Sequence, residues 1–434
     1  MQKTIKFPIV LKEFKEKLLA WSNRHDSFCL FDSNDYYNNS PDKKFECIAA
    51  LGRGNYNFSP LDNIDDLHSW LKLGSDWYFC FISYDLKNRI ENLSSSNPDF
   101  IGFPMISFFT PGYIFEMTKK EVIIHYNEVS YLGLDVEEIF NEINNYSLRK
   151  PKKKNTPPNI KQRVTKEEYI ENINKIRQHI QLGDVYEMNY CIEFFVEDFD
   201  CDPIQVYQKL NKISPMPFAC YYKNDDKYLL CASPERFLMK RGNKLISQPI
   251  KGTIKRDLNN KEYDKELRNQ LLNDQKERAE NVMIVDLVRN DLSRTAKKGS
   301  VKVEELFGIY SFKQVHQMIS TVSSEVKDEF DFVDILKTTF PMGSMTGAPK
   351  IRAMELIEKY EKTKRGLYSG SVGYITPEQD FDFNVVIRSI QYNSSNKYLS
   401  FMVGSAITFD SIPEKEYEEC LVKAQAIMEV LTSE

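Results

Sequence analysis

The sequence predicts an α/β (α+β) protein, with antiparallel or mixed sheet and helices packed outside it. Three observations carry this. Hydrophobic residues make up 41% and charged residues 28% of the 434, the balance of a soluble globular chain with a sizeable core. In the first half, aromatic strand-like runs such as "DWYFCFISYDL" and "MISFFTPGYIFEMT" alternate with helical stretches such as "VEEIFNEINNY". In the second half, "YCIEFFVEDF", "FACYYK" and "KYLLCAS" read as strands between segments of helical period.

The elements follow in order. Leu148 to Val164, "LRKPKKKNTPPNIKQRV", is basic, punctuated by proline and free of apolar periodicity, which predicts an exposed connection over 148–163 between residues 1–147 and 164–434. Thr165 and Glu168 have capping-box spacing, and Tyr169, Ile173, Ile176 and Ile180 recur at helical intervals behind them. A long helix is expected from Lys261 to Leu292, a second near Val333 to Thr338 and a third beginning at Pro349, since proline suits a first turn. "SGSVGYIT", "FDFNVVIRSIQY" and "YLSFMVGSAITF" read as strands, and a last helix starts near Pro413.

Composition excludes several functions. A net charge of −5 with dispersed Lys and Arg argues against a nucleic-acid partner. The N-terminus lacks the apolar core of a signal peptide, and no apolar stretch reaches the about 20 residues that span a bilayer, so the expectation is no membrane and a cytoplasmic location. Eight cysteines without metal-like spacing are expected to be free and mostly buried.

Several residues carry chemical promise. Glu277 and Glu280 are neighbours on one helix face; Glu416 and Glu419, with Lys423 beyond them, are neighbours on another. Facing each other they would make an oxygen-rich site for Mg2+; apart they are solvated surface. Arg388, in an apolar strand-like stretch, needs an anionic partner, either an internal carboxylate or a substrate. His316 suits proton shuttling or plain structure. Glu235 alone would be a surface carboxylate. "GSMTGAPK" fails the phosphate-loop pattern, because Lys350 follows Pro349 and no Ser or Thr comes next. Lys251, between Ile250 and Gly252 in "SQPIKGTIKR", stands where a small apolar residue would cost less.

The order of these features resembles one family. "GDVYEMN", "SPERFL", "QPIKGT", "KERAENVMIVDLVRNDLSR", "GSMTGAPKIRAMELI", "GSVGYI", "VVIR" and "FDSIPEKEYEECLVKA" run in the sequence of the chorismate-utilising enzymes, which include anthranilate, isochorismate, salicylate and aminodeoxychorismate synthases. "LFDSND", from Leu30 to Asp35, looks like the family's N-terminal motif at a structural or regulatory tryptophan pocket. The resemblance implies one intertwined fold, the complex β-sandwich of the anthranilate synthases with helices outside.

It also implies roles. Glu277, Glu280, Glu416 and Glu419 fall on the positions that hold or surround magnesium, which holds the ring carboxylate of chorismate. Arg388 and Tyr374, with Gly404 and Lys423, fall on positions gripping the enolpyruvyl carboxylate; Gly252, Thr253 and Thr346 fall in the substrate-binding set and His316 beside the ring. The position of Lys251 is usually alanine in anthranilate and isochorismate synthases and lysine in the aminodeoxychorismate-forming members. There it implies a nucleophile that adds at C2 of chorismate as the C4 hydroxyl leaves, protonated from Glu235; ammonia then attacks C4 and expels the lysine. A neutral amine is needed, which burial and neighbouring cations would favour.

Two positions depart from the pattern. Glu187 stands where water-adding members carry lysine and amine-adding members usually glutamine, and Ala406 replaces the second glycine of a "G-x-G-I" stretch. The expected activity is formation of 4-amino-4-deoxychorismate from chorismate and ammonia, for p-aminobenzoate and folate. No glutaminase or pyridoxal-lyase signature is seen, so a separate glutamine amidotransferase subunit is expected as heterodimer partner. Anthranilate synthesis, or chorismate binding without turnover, are the alternatives.

Overall fold

The computed structural model describes residues 2–36, 45–52, 56–58, 64–72, 76–127, 135–148 and 157–433; residues 149–156 of the predicted connection lie outside the described residues. Two large sheets with antiparallel strand pairings form the frame. Each contains strands from both halves of the chain. In the larger sheet, Ser27–Asp32 pairs with Phe218–Asn224; in the smaller, Tyr78–Ile82 pairs with Ser371–Ile375.

Period-two alternation explains why the sheets stack. Along Ser27–Asp32, Phe28 and Leu30 enter an outer core covered by helices, whereas Cys29 points into the core between the sheets. On the neighbouring strand Tyr221 faces outward, and Cys220 and Tyr222 face inward. The intersheet core adds Phe79, Phe81 and Phe109, and burying each such ring stabilises the fold by about 1.5–3 kcal/mol. A second outer core lies under the helices Gln275–Ser293 and Phe332–Thr339. The result is a sandwich with helices outside.

Local signals set the helix ends. Thr165 and Glu168 close a reciprocal capping box on Lys166–Gln181, which buries Tyr169, Ile173 and Ile176. Pro413 opens the last helix, Pro413–Thr432. The helix expected from Lys261 to Leu292 is instead two, Lys261–Asn273 and Gln275–Ser293. Asp274 divides them: it is extended, and its carboxylate accepts from the Glu277 amide as an N-cap. Pro349 likewise lies just outside Lys350–Tyr360, as its cap. Arg388 is not in a strand. It sits with φ +50° on the crossing from Phe381–Asn384 of the smaller sheet to Ser389–Asn393 of the larger one.

Candidate active site

The site grows from an irregularity in one strand. Ile250–Lys255 pairs with Val315–Glu325, yet Ile250 stands opposite Ile319 and Thr253 opposite Gln317, so one residue is extra on the Lys251 side. Gly252 absorbs this bulge at φ +91°, and a Cβ there would lie 3.1 Å from Glu277 Oε2 and from the Leu271 side chain. The positive φ calls for glycine, and the side chains of Glu277 and Leu271 crowd any Cβ placed there. The bulge turns Lys251 into a cavity of about 540 Å³, with 8% of the residue exposed. A small apolar residue would have fitted the strand but not reached what lies opposite.

Opposite lies Glu187, the first residue of Glu187–Val196, whose Oε1 accepts a hydrogen bond from Lys251 Nζ at 2.5 Å. Burial alone would lower the lysine's pKa, but the carboxylates of Glu187, Glu280 and Glu235 outweigh it and hold Lys251 above its ordinary range. The strongest charges acting on it are anions, not the cations anticipated from the sequence, so this lysine rests as an ammonium.

Glu235 ends the loop after Lys227–Ser233. It is buried, receives the Ser344 hydroxyl at 2.7 Å, and has its pKa pushed up to about 7 by burial, against the pull of Ser344, Lys251 and Arg388. A carboxyl poised near neutrality is suited to give a proton. Arg388 also faces the cavity; burial draws its guanidinium down to about 10, with Glu235 opposing. Gly404 lines the wall, where a Cβ would meet Cys191 Sγ at 2.5 Å, and Lys423 donates to the Gly404 carbonyl at 2.8 Å while pairing with Glu419 at 2.7 Å. Ala406 lines the same wall.

Glu277, Glu280 and Glu419 line one side of the cavity, and Glu416 is buried beside them. The ammonium of Lys276 lies 3.4 Å from Glu416 Oε1 and 3.7 Å from Glu280 Oε1, and the latter oxygen is buried without a hydrogen-bond partner among the described residues. Burial pushes Glu280 up to about 7, against Lys251. Hard oxygen donors left short of cations fit magnesium. Among the described residues, the ligand atoms of His68, Asp331 and Asp334 lie within 4.8 Å of one another, but none of these residues lines the cavity.

Three sequence-derived site residues lie elsewhere. His316 points out of the cavity, its ring held by Ser311 at 2.8 Å and Asp264 at 3.1 Å. Strand alternation gives the cavity-facing place to the next residue, Gln317, whose Nε2 donates to Thr253 Oγ1 at 3.3 Å. Tyr374 packs among Phe31, Trp77 and Phe79 between the sheets and accepts from Arg241; the tyrosine on the cavity is Tyr368, from the turn before that strand. Thr346 spends its hydroxyl on the carbonyls of Met342 and Gly343, leaving Ser344 and Met345 at the cavity. The signal that could have found Gln317 and Tyr368 was register, a one-residue shift in the first case. Lys350 is structural, donating to Asp291 Oδ2 at 2.6 Å.

In "LFDSND", Asp32 pairs with Lys15, and Asn34 donates to Asn211 Oδ1 at 2.7 Å and to the Met216 carbonyl at 2.9 Å. No helix among the described residues is long and apolar enough to cross a membrane.

Residues 21–429 match the family described as chorismate binding enzyme. The chain belongs to the chorismate-binding enzymes. Relatives of this chorismate-binding enzyme include aminodeoxychorismate synthase component 1 of Bacillus subtilis, 35% identical over 362 residues covering 81% of this chain and 76% of that one. Anthranilate synthase component 1 of Aquifex aeolicus is 33% identical, covering 81% and 73%. Among solved structures, anthranilate synthase component I of Streptococcus pneumoniae superposes with a TM-score of 0.75 at 26% identity, covering 88% of this chain and 91% of that one.

Proposed function

We infer that this chorismate-binding enzyme aminates chorismate to 4-amino-4-deoxychorismate, as component 1 of an aminodeoxychorismate synthase. The observation that carries the reading is Lys251, turned by a glycine bulge into the cavity and flanked by an acidic partner and a carboxyl poised near pH 7.

In this reading Lys251 adds at C2, Glu235 protonates the departing C4 hydroxyl, and Arg388 receives a substrate carboxylate. Gly252, Thr253 and Gly404 shape the wall, while Lys423 orients the Gly404 carbonyl. Tyr368 and Gln317 take the wall positions that the family resemblance implied for Tyr374 and His316. Glu277, Glu280, Glu416 and Glu419 would hold Mg2+, which supplies positive charge to an anionic ring substituent. Residues 1–147 and 164–434 would act as one unit, supported by strand pairing between the halves in both sheets. Ammonia would come from a glutamine amidotransferase subunit, and the location would be cytoplasmic.

The test is a product assay on the isolated chain with chorismate, Mg2+ and concentrated ammonium at alkaline pH. Aminodeoxychorismate is the expected product. Anthranilate with release of pyruvate would overturn the reading in favour of the other activity named among its relatives.

A further inference from the structure

We propose that Glu187 is the catalytic base that takes a proton from Lys251 before the lysine attacks chorismate, and returns it when the lysine leaves. The proposal rests on the amination reading above and assigns a role to a residue that departs from the family pattern.

Three observations carry it. First, Glu187 is wholly buried and Lys251 nearly so, with Lys251 Nζ donating to Glu187 Oε1 at 2.5 Å. Second, Glu187 Oε2 is buried with no hydrogen-bond partner among the described residues. An unmet buried acceptor costs free energy in a charged carboxylate, and a proton passing from Nζ along the existing bond to Oε1 removes that charge. Third, among the described residues the hydrogen bond of Lys251 Nζ goes to Glu187 and not to the other two carboxylates that act on it, Glu235 and Glu280. Glu235 holds Ser344 and is needed as an acid for the leaving hydroxyl, while Glu280 lies among the metal-type carboxylates with Glu277 and Glu419. The cation facing Lys251 from the last helix, Lys423, is itself paired with Glu419. A lysine held as ammonium by so many carboxylates cannot attack until one of them accepts its proton.

The protons and electrons balance. Lys251 gives one proton to Glu187; its freed lone pair forms the N–C2 bond, both ring double bonds shift, and the C4–O bond breaks as Glu235 protonates the oxygen to water. Ammonia then forms the C4–N bond, the double bonds shift back, and the N–C2 pair returns to the lysine nitrogen. Glu187 returns its proton to Lys251, and the new C4 ammonium gives one proton to Glu235. The net change is chorismate plus ammonia to aminodeoxychorismate plus water.

The experiment compares wild type, Glu187→Gln and Lys251→Ala for ammonium-dependent amination from pH 6.5 to 8.5, with chorismate binding and melting temperature as checks on folding. Glu187→Gln is expected to lower the rate at pH 7 by about 100-fold or more, the scale of general-base catalysis. The ratio of variant to wild-type rate, which cancels ammonia supply and Glu235 ionisation, should climb about tenfold per pH unit as solvent takes over the deprotonation. A ratio that stays flat with pH, at any rate level, overturns the proposal, since a positioning or packing role would not depend on pH. If Lys251→Ala keeps its rate, the covalent step itself falls and the proposal with it; if Lys251→Ala is inactive while the Glu187→Gln ratio is flat, only the role of Glu187 falls.

Discussion

Two buried ion pairs in this protein are built in opposite ways. Arg365 and Glu361 lie side by side on the edge of the larger sheet, with every arm occupied. The guanidinium donates to both Glu361 oxygens, to the carbonyls of Met345 and Asn189 and to Ser369 Oγ, and Glu361 also accepts from the Cys191 amide. Lys251 and Glu187 share one hydrogen bond, and the second carboxylate oxygen has no partner among the described residues. Both pairs are desolvated at a cost, and only the first recovers it through a closed network. The first pair is a closed network between backbone and side chains; the second is a single contact made by a lysine that lines the cavity.

The sharpest way to break this comparison is Lys251→Ala, for which amination should fall on the order of 10³-fold or more, the loss expected when a nucleophile is removed. Retained activity in a steady-state product assay would make the open pair a structural one. Next, Glu235→Gln should lower kcat/KM about 100-fold. Because burial raises the Glu235 pKa to about 7, its proton is present below that pH and lost as pH rises through it. Wild-type kcat/KM for chorismate, corrected for free ammonia, should therefore fall above about pH 7, and Glu235→Gln should lack that descending limb.

The saturated pair should show itself in stability instead. Arg365→Met should cost about 3–5 kcal/mol in urea denaturation, since it strands a buried carboxylate and two carbonyls. Lys251→Met should cost less, because it loses one hydrogen bond where Arg365→Met loses five; an equal or larger loss would erase the distinction. Gly252→Ala should cost about 1–3 kcal/mol, combining the positive φ with the approach to Glu277 and Leu271. The smallest effect is expected at Tyr374→Phe, which removes one hydrogen bond with Arg241, worth about 1 kcal/mol, and leaves the KM for chorismate within about twofold.

Much of this was legible in the chain. The capping box at Thr165, the proline at Pro413 and the i,i+3 carboxylates at Glu277 and Glu280 are local signals, and local physics realises them. Misread positions depended on direction. His316 and Gln317 are adjacent in sequence and opposite in space, and nothing short of strand register says which one faces the cavity. Arg388 was legible as a buried cation needing an anion, but not as the hinge of a crossing between sheets.

The sequence by itself determined most of the elements, the family and the inventory of reactive groups, because periodicity, caps and motif order are written in neighbouring residues. Only the tertiary structure decided which groups meet. Lys251 and Glu187 are 64 positions apart, and the sign of the field around Lys251 is set by carboxylates from three separate segments. Anions where cations were expected reverse the resting state of the lysine, and that reversal comes from long-range packing, which no local pattern encodes.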